Sequence, residues 1–418
     1  MNSVIPHHLS KEEIIKLGAF YTPEEIVQLV LNFIYPYVEK NSNVIVLDSS
    51  AGYGAFLRDV KKKGIEYRAG EYDKKAIEVL KSFLDEEKIF NTNALTKVSR
   101  KKYEISEDDF LIVVGNPPYN DITSEYKKGK KGEINCDIDL FDRDIGISFL
   151  KSYNKLRADI VSVLHPLSYL IKEANFKRLK DFKNNYRLIR GVIFPSSMFY
   201  GTSPISAFPV LVSLYERNVR GMDFDYVRNF SFNILGSNNT FTLSDYTTTD
   251  GYIDKYPPGK HDIKESPIGL YFHTFRDINS LKRNAAFMLK KTNGIVVTVE
   301  NFYKYAYLYA FKKLFKPENA WLFGNLSPLV EKDFVESNKK LFVLFALKTN
   351  QVVRNLNAID NIMEYYQISS YDLENYNIEI LEKEISAYLQ SLIKPNRKYF
   401  NYNNLLFWKQ DIVEDKSQ

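Results

Sequence analysis

Cysteine is nearly absent. The single Cys136 in 418 residues excludes an internal disulfide and a cysteine-rich zinc site, and fits a reducing compartment. Histidine is scarce too: of five, His7, His8 and His165 show no ligand spacing, so no metal is expected. Long apolar runs are missing, which argues against a membrane span. The opening stretch MNSVIPHHLSKEE has neither the basic nor the apolar region of a secretory signal. A cytoplasmic protein, expected to be a monomer, is the resulting expectation. A strong charge of either sign is lacking as well, with 57 Lys and Arg against 52 Asp and Glu. A nucleic-acid partner would therefore have to be met by local patches rather than by a global field. No internal repeats or low-complexity segments interrupt the chain.

What is plentiful is aromatic: 30 Tyr and 29 Phe bring the aromatic share to 15%. Lys, Asn and Ile are abundant alongside, so a compositional bias supplies part of that excess and the number identifies nothing by itself. Hydrophobic and charged shares of 44% and 26% are those of a globular chain. Its length suits two domains with full cores.

From about 44 to 117, strand and helix signals alternate as in a parallel sheet. VIVLD (44–48) is a short aliphatic run followed by AGYGAF. IEYRAGEYD (65–73) predicts a second strand, and KKAIEVLKSFLDEE (74–87) a helix with Ile77, Leu80 and Leu84 on one face. IFNTNAL (89–95) and FLIVVGN (110–116) predict two more strands. Upstream, Thr22 reads as an N-cap, with Pro23 and glutamates opening a helix. Downstream, DIGISFLKSYNKL predicts a helix and DIVSVLHP a strand. The alternation fades between 218 and 225, which divides the chain into residues 1–220 and 221–418. In the second part YDLENYNIEILEKEISAYLQSLI (371–393) predicts one long helix. Residues 120–145 are expected to form a long charged loop; the carboxylate run DIDLFDRD in it lacks the Gly and terminal Glu of a calcium loop and is expected to be solvated.

Two constellations carry chemistry. The first is Asp48-x-x-x-Gly52-x-Gly54 between a strand and a helix, where glycines let the backbone turn and approach a ligand. Glu71, ending the next strand, is placed to accept hydrogen bonds from ribose hydroxyls. The third glycine of a dinucleotide fingerprint is replaced by Leu57, and no Gly-Lys-Ser/Thr follows. The set therefore suits a nucleoside without phosphates, such as S-adenosylmethionine.

The second is Asn116-Pro117-Pro118-Tyr119. A turn that merely stops a strand can have this composition, but the glycine loop upstream makes a site the better reading. In a doubly wound sheet, ligands bind beyond the strand carboxyl ends where strand order reverses. There Asn116 offers a side-chain carbonyl and Pro117 a backbone carbonyl aimed by its fixed φ. Pro118 holds Pro117 extended. Two acceptors so spaced can take both hydrogens of an exocyclic amino group, and Tyr119 can stack on the ring that bears it.

Taken together, YTPEEI (21–26), LDSSAGYGAFL (47–57), GEYD (70–73), NAL (93–95) and NPPYN (116–120) resemble the adenine-N6 DNA methyltransferases of the gamma arrangement, the type II restriction-modification methylases with an NPPY motif. The resemblance covers residues 15 to 217. It implies an α/β fold with a doubly wound, mostly parallel, Rossmann-like sheet, and a C-terminal mixed α+β target-recognition domain. It implies S-adenosylmethionine as cofactor, with Tyr21, Thr22 and Pro23 at its methionine end. Asp48, Ala51 and Gly52 would line its loop, Glu71 and Tyr72 would meet the nucleoside, and Asn93 (where the family has Asp) its adenine. Asn116, Pro117 and Tyr119 become the catalytic set. Phe199 is the expected second aromatic against a flipped base, with Tyr200 and Phe194 behind it. A paired adenine cannot meet the methyl donor in line, so the base must leave the stack. Lys127, Lys128, Lys130 and Lys131 are candidates for phosphate contacts, or for a plain charged loop. The partner expected is double-stranded DNA, with any cognate endonuclease on a separate chain. Protein glutamine methylation on release factors and RNA adenine methylation are the rival readings, since both present the same kind of amino group.

Overall fold

The computed structural model describes residues 22–118, 136–199, 202, 204–259 and 264–393. The chain divides into two compact units, 1–243 and 244–418.

In the first unit, helix α1 (Glu24–Lys40) opens with Glu24 and Glu25 and buries Ile26, Val27, Val30, Leu31, Phe33 and Ile34. Its cap position is Pro23, without a side-chain cap bond. Thr22 is not the N-cap that its position suggests, because its hydroxyl is engaged elsewhere. The parallel strands are β1 (Val44–Asp48), β2 (Tyr67–Glu71), β3 (Ile89–Asn91), β4 (Phe110–Gly115) and β5 (Ile160–Pro166). Helices α2 (Leu57–Lys62), α3 (Lys74–Lys81) and α4 (Ile145–Lys155) lie between them in sequence. α3 is shorter than its apolar spacing suggests. Ser82 Oγ donates back to the Val79 carbonyl at 2.6 Å, and Asp85 is drawn off to the Tyr67 hydroxyl and the Lys61 ammonium.

Four further strands complete the sheet: β6 (Tyr186–Pro195), β7 (Pro209–Arg217), β8 (Phe232–Ile234) and β9 (Thr240–Phe241). The order is β3-β2-β1-β4-β5-β7-β6-β8-β9. β1 pairs in parallel with β2 and β4, while β7 runs antiparallel between β5 and β6. β1, β4 and β5 are buried almost throughout, as strands covered on both faces must be.

The division at 243 lies later than the 220 expected from the fading alternation. β8 and β9 are three and two residues long, too short for a strand signal. Even so, β8 pairs with β6, and Phe232 and Phe241 are fully buried.

The second unit is mixed α and β. β10 (Leu270–His273) lies between β11 (Phe287–Met288) and β12 (Gly294–Val297), antiparallel to both. Helices α5 (Phe302–Leu314), α6 (Lys339–Thr349) and α7 (Ile378–Ser391) make up much of the rest. The aromatic excess has a structural use here. Tyr388 stacks on Phe334 at 4.0 Å and meets Tyr307 and Phe342 edge-on. The long helix expected over 371–393 is two helices, because the Asn377 side chain accepts from Glu379 N–H and starts α7 afresh. No helix among the described residues is long and apolar enough to cross a membrane.

A fragment ending at residue 243 should unfold in one cooperative transition. A fragment ending at 220 loses two fully buried phenylalanines, each worth about 3–5 kcal/mol, and bares the edge of β6. It should melt without cooperativity or aggregate. Identical denaturant transitions for the two fragments would place β8 and β9 outside the unit.

Candidate active site

The strand order turns between β1 and β4, so the crevice beyond their carboxyl ends is where such a sheet places a ligand. The loop leaving β1 forms one wall. Ala51 N–H donates to the Gly70 carbonyl at 2.9 Å and Gly54 N–H to the Ala51 carbonyl at 2.7 Å, folding the loop against β2. Gly52 has φ +52°, and a Cβ there would meet nothing within 4 Å. The glycine answers a left-handed backbone and faces open space, as an approach surface for a ligand should.

Glu71 ties this loop to the end of β2. Its Oε2 accepts Gly52 N–H at 2.7 Å, and its Oε1 accepts Tyr72 and Asp73 N–H at 2.7 and 2.8 Å. The carboxylate is thereby held at the mouth of the loop, beside Tyr72, which is 72% exposed. A ribose would meet an oriented acceptor and an adenine a ring to lie on. Asn93 Oδ1 accepts Leu95 N–H at 2.9 Å, so its amide holds the turn after β3.

Asp48, at the end of β1, is fully buried. Desolvation, partly offset by the Ser50 N–H bond and reinforced by the charge of Glu71, pushes its carboxyl up to about 8. A Cβ on Gly115 would stand 3.0 Å from Asp48 Oδ1. Gly115, at φ +153°, is thus required both by its conformation and by the carboxyl beside it. Ser50 is a residue the motif reading passed over: its buried hydroxyl has no partner among the described residues. Nothing in the sequence singles it out.

On the other wall, Asn116 follows β4 directly. Its Nδ2 donates to Thr22 Oγ1 at 3.1 Å, so the amide meets a further partner amino group through its carbonyl oxygen. Pro117 beside it is buried and Pro118 half-buried. The structure therefore brings Thr22, Asp48, Gly52, Glu71 and Asn116 to one end of the sheet. Phe199 lies in the core cluster, 2% exposed, with its ring edge-on to Phe194 at 5.5 Å. A base could stack on it only after that ring or its cover moves. Tyr21, Tyr119, Tyr200, Lys127, Lys128, Lys130 and Lys131 lie outside the described residues.

Of the carboxylates of 137–144, Asp139 is exposed as expected, but the others are engaged by the fold. Asp142 is buried with Lys151 and Arg178, Asp137 accepts Lys97 N–H and pairs with Lys155, and Asp144 caps α4. These acids anchor the chain that returns to α4. His165 is likewise structural: its Nε2 lies 2.8 Å from the Tyr215 hydroxyl, and burial pushes its pKa down to about 4. No group of metal ligands occurs among the described residues.

Glycine loop, acidic β2 end and antiparallel β7 define a Rossmann-like sheet of the methyltransferase type. Residues 35–199 match the family model of the Eco57I restriction-modification methylases. That part of the chain is similar to the restriction-modification methylases, the resemblance its motifs carry. The match spans the glycine loop and the Asn116 segment and stops before the second unit.

Solved structures with a similar fold include a candidate RNA methyltransferase from Pyrococcus horikoshii, at 17% identity and TM-score 0.33, covering 49% of this chain and 88% of that one. A type I restriction-modification methyltransferase subunit from Streptococcus thermophilus matches at 15% identity and TM-score 0.34, covering 48% and 45%. The magnesium protoporphyrin IX methyltransferase of Synechocystis PCC 6803 matches at 10% identity and TM-score 0.29, covering 52% and 87%. Comparison with curated proteins gives no match.

The buried Asp48 has a pH signature. Its folded pKa of about 8 lies above the ordinary carboxyl value, so the folded state holds a proton that the unfolded chain has lost. Its contribution therefore falls as pH rises from about 4 to 8 and levels off above. Asp48→Asn keeps an acceptor for Ser50 N–H and removes the titration. Relative to wild type it should gain roughly 1 kcal/mol of stability per pH unit across that window. Denaturant midpoints at several pH values check this; parallel pH profiles would mean that Asp48 is ionised when folded.

Proposed function

We propose that this chain is a DNA methyltransferase that moves a methyl group from S-adenosylmethionine to N6 of an adenine swung out of a duplex, as the modification enzyme of a restriction-modification system. The reading rests on one juxtaposition: Asn116, oriented by Thr22, at the end of β4, across the crevice from a glycine loop that Glu71 holds open.

The pocket fits the cofactor on its own chemistry. Glu71 and Tyr72 suit a ribose and an adenine, and Gly52 lets the ligand approach the backbone. The unpartnered Ser50 hydroxyl offers a further polar contact. Asp48 and Ala51 line the loop, Asn93 stands beyond the third strand, and Thr22 and Pro23 precede α1, with Tyr21 assigned to the same end of the cofactor by the resemblance. S-adenosylmethionine, when bound, supplies an electrophilic methyl on a sulfonium. A cation arriving near Asp48 favours its ionised form, so cofactor binding near neutral pH should release a proton.

The chain's own part is positioning. Asn116 Oδ1 and the Pro117 carbonyl take the two hydrogens of the adenine amino group. That draws the nitrogen toward a tetrahedral shape and directs its lone pair at the methyl carbon. The bound cofactor would supply the methyl group and leave as a neutral thioether, and the amino proton would pass to water, so no strong base is needed. Tyr119 lies against the base on one side, with Phe199 or Tyr200 on the other. The second unit, outside the family match, is the target-recognition domain, reading base edges in the major groove. Lys127, Lys128, Lys130 and Lys131 contact phosphates near the flipped base, and the cognate endonuclease is a separate chain.

Asn116→Ala should reduce methyl transfer by at least about 100-fold, the usual cost of removing a group that positions charge in the transition state, while cofactor affinity changes little. Transfer rates and calorimetric binding of S-adenosylmethionine read the two effects separately. Wild-type transfer by the variant would show that the amino group is held elsewhere; equal loss of binding and transfer would make Asn116 a cofactor ligand only.

A further inference from the structure

The second unit is electrically polarised. Residues 276–316 carry nine Lys and Arg against two acids, Asp277 and Glu300, whereas 354–384 carry two bases against seven acids. Asp277 is fully buried as the cap of helix Ile278–Arg283 and pairs with Arg276, so the charge it offsets is first that of Arg276, at the start of that helix.

The basic residues converge at one place. Helix Ile278–Arg283 ends in Lys282 and Arg283, and α5 ends in Lys312 and Lys313, with Lys316 just beyond. The two helix ends are tied together, since Lys312 Nζ donates to the Asn284 carbonyl and Lys282 Nζ lies 5.5 Å from the centre of the Phe315 ring. Arg283, Lys313 and Lys316 are exposed. None of the five forms an ion pair among the described residues, although pairs such as Lys255–Asp250, Lys291–Glu265 and Lys339–Glu336 show that this unit forms them elsewhere. The Lys282 ammonium is pushed below its usual range by burial and by the neighbouring charge of Lys316.

Lysines at helix ends have an ordinary explanation, the negative pole of the helix. Each pole amounts to about half a charge, so two poles offset roughly one of five cations. Glu318, exposed two residues past Lys316, offsets another in part. The remainder is a local positive field on a unit whose basic and acidic stretches are otherwise segregated. Gathering like charges costs stability, and a polyanion is the partner that recovers it.

We propose that the face made by Lys282, Arg283, Lys312, Lys313 and Lys316 seats the phosphate backbone of duplex DNA, holding the target while base edges are read elsewhere on the unit. This rests on the reading of duplex DNA as substrate. Phosphate contacts of this kind fix register and carry no sequence information.

The test uses the full chain with Arg283, Lys313 and Lys316 all changed to Ala; Lys282 and Lys312 stay because they are half-buried and tie the two helix ends together, whereas Lys313 is exposed and meets the Tyr309 ring of its own helix. Binding to a labelled duplex is followed by anisotropy between about 50 and 200 mM salt, where each phosphate contact adds roughly 0.9 to the slope of log affinity against log salt. The variant should lose about 3 from that slope, melt like wild type, and show a raised KM for DNA with kcat little changed. A control with Lys62, Lys101 and Lys177 changed to Ala should keep the wild-type slope. An unaltered slope in the first variant, or an equal loss in the control, overturns the face while wild-type transfer to DNA leaves the underlying reading intact. Wild-type protein that neither binds nor methylates duplex DNA overturns both.

Discussion

β1 and β4 lie side by side and parallel, Leu47 against Val113, and the sheet grows outward from them in both directions. That pairing places Asp48 against Gly115 and sends both chains out at the same end of the sheet. One becomes the glycine loop and the other the Asn116 segment. Had β4 paired at another edge, neither group would have a partner across a crevice. The cost is a carboxyl sealed from water, whose pKa burial pushes up to about 8.

Around that pairing, the site is built from backbone donors more than from charged side chains. Three N–H groups hold Glu71, and the Thr22 hydroxyl helps orient Asn116. Such a frame suits a reaction in which a weak nucleophile has to be aimed rather than ionised. Among the described residues the buried His165 is committed to Tyr215 and takes no part in this frame.

Several of these features were legible in the sequence because they are local. β1 is the apolar run 44–48 bounded by turn residues, and the glycines after it announce their backbone conformation by their spacing. α4 follows from apolar periodicity with Asp144 as its cap. Features made by distant residues were not legible. Thr22 reads as a helix cap until the fold brings Asn116, 94 positions away, to its hydroxyl. The run DIDLFDRD looks solvated because Arg178, which joins Lys151 on the buried Asp142, is 36 positions along the chain. The unit boundary was placed early because β8 and β9 are held by pairing with β6 rather than by any pattern of their own.

The proposed site leaves the substrate to be decided by chemistry, since an amino group on DNA, on RNA or on a glutamine side chain could all be held by the same pair of carbonyls. Incubation with S-adenosylmethionine carrying a labelled methyl, in parallel with duplex DNA, RNA and a release factor, followed by mass spectrometry of the digested products, tests the choice most directly. The account predicts label in duplex DNA alone, recovered as N6-methyladenine. Label in RNA or on a protein glutamine, with none in DNA, would contradict it.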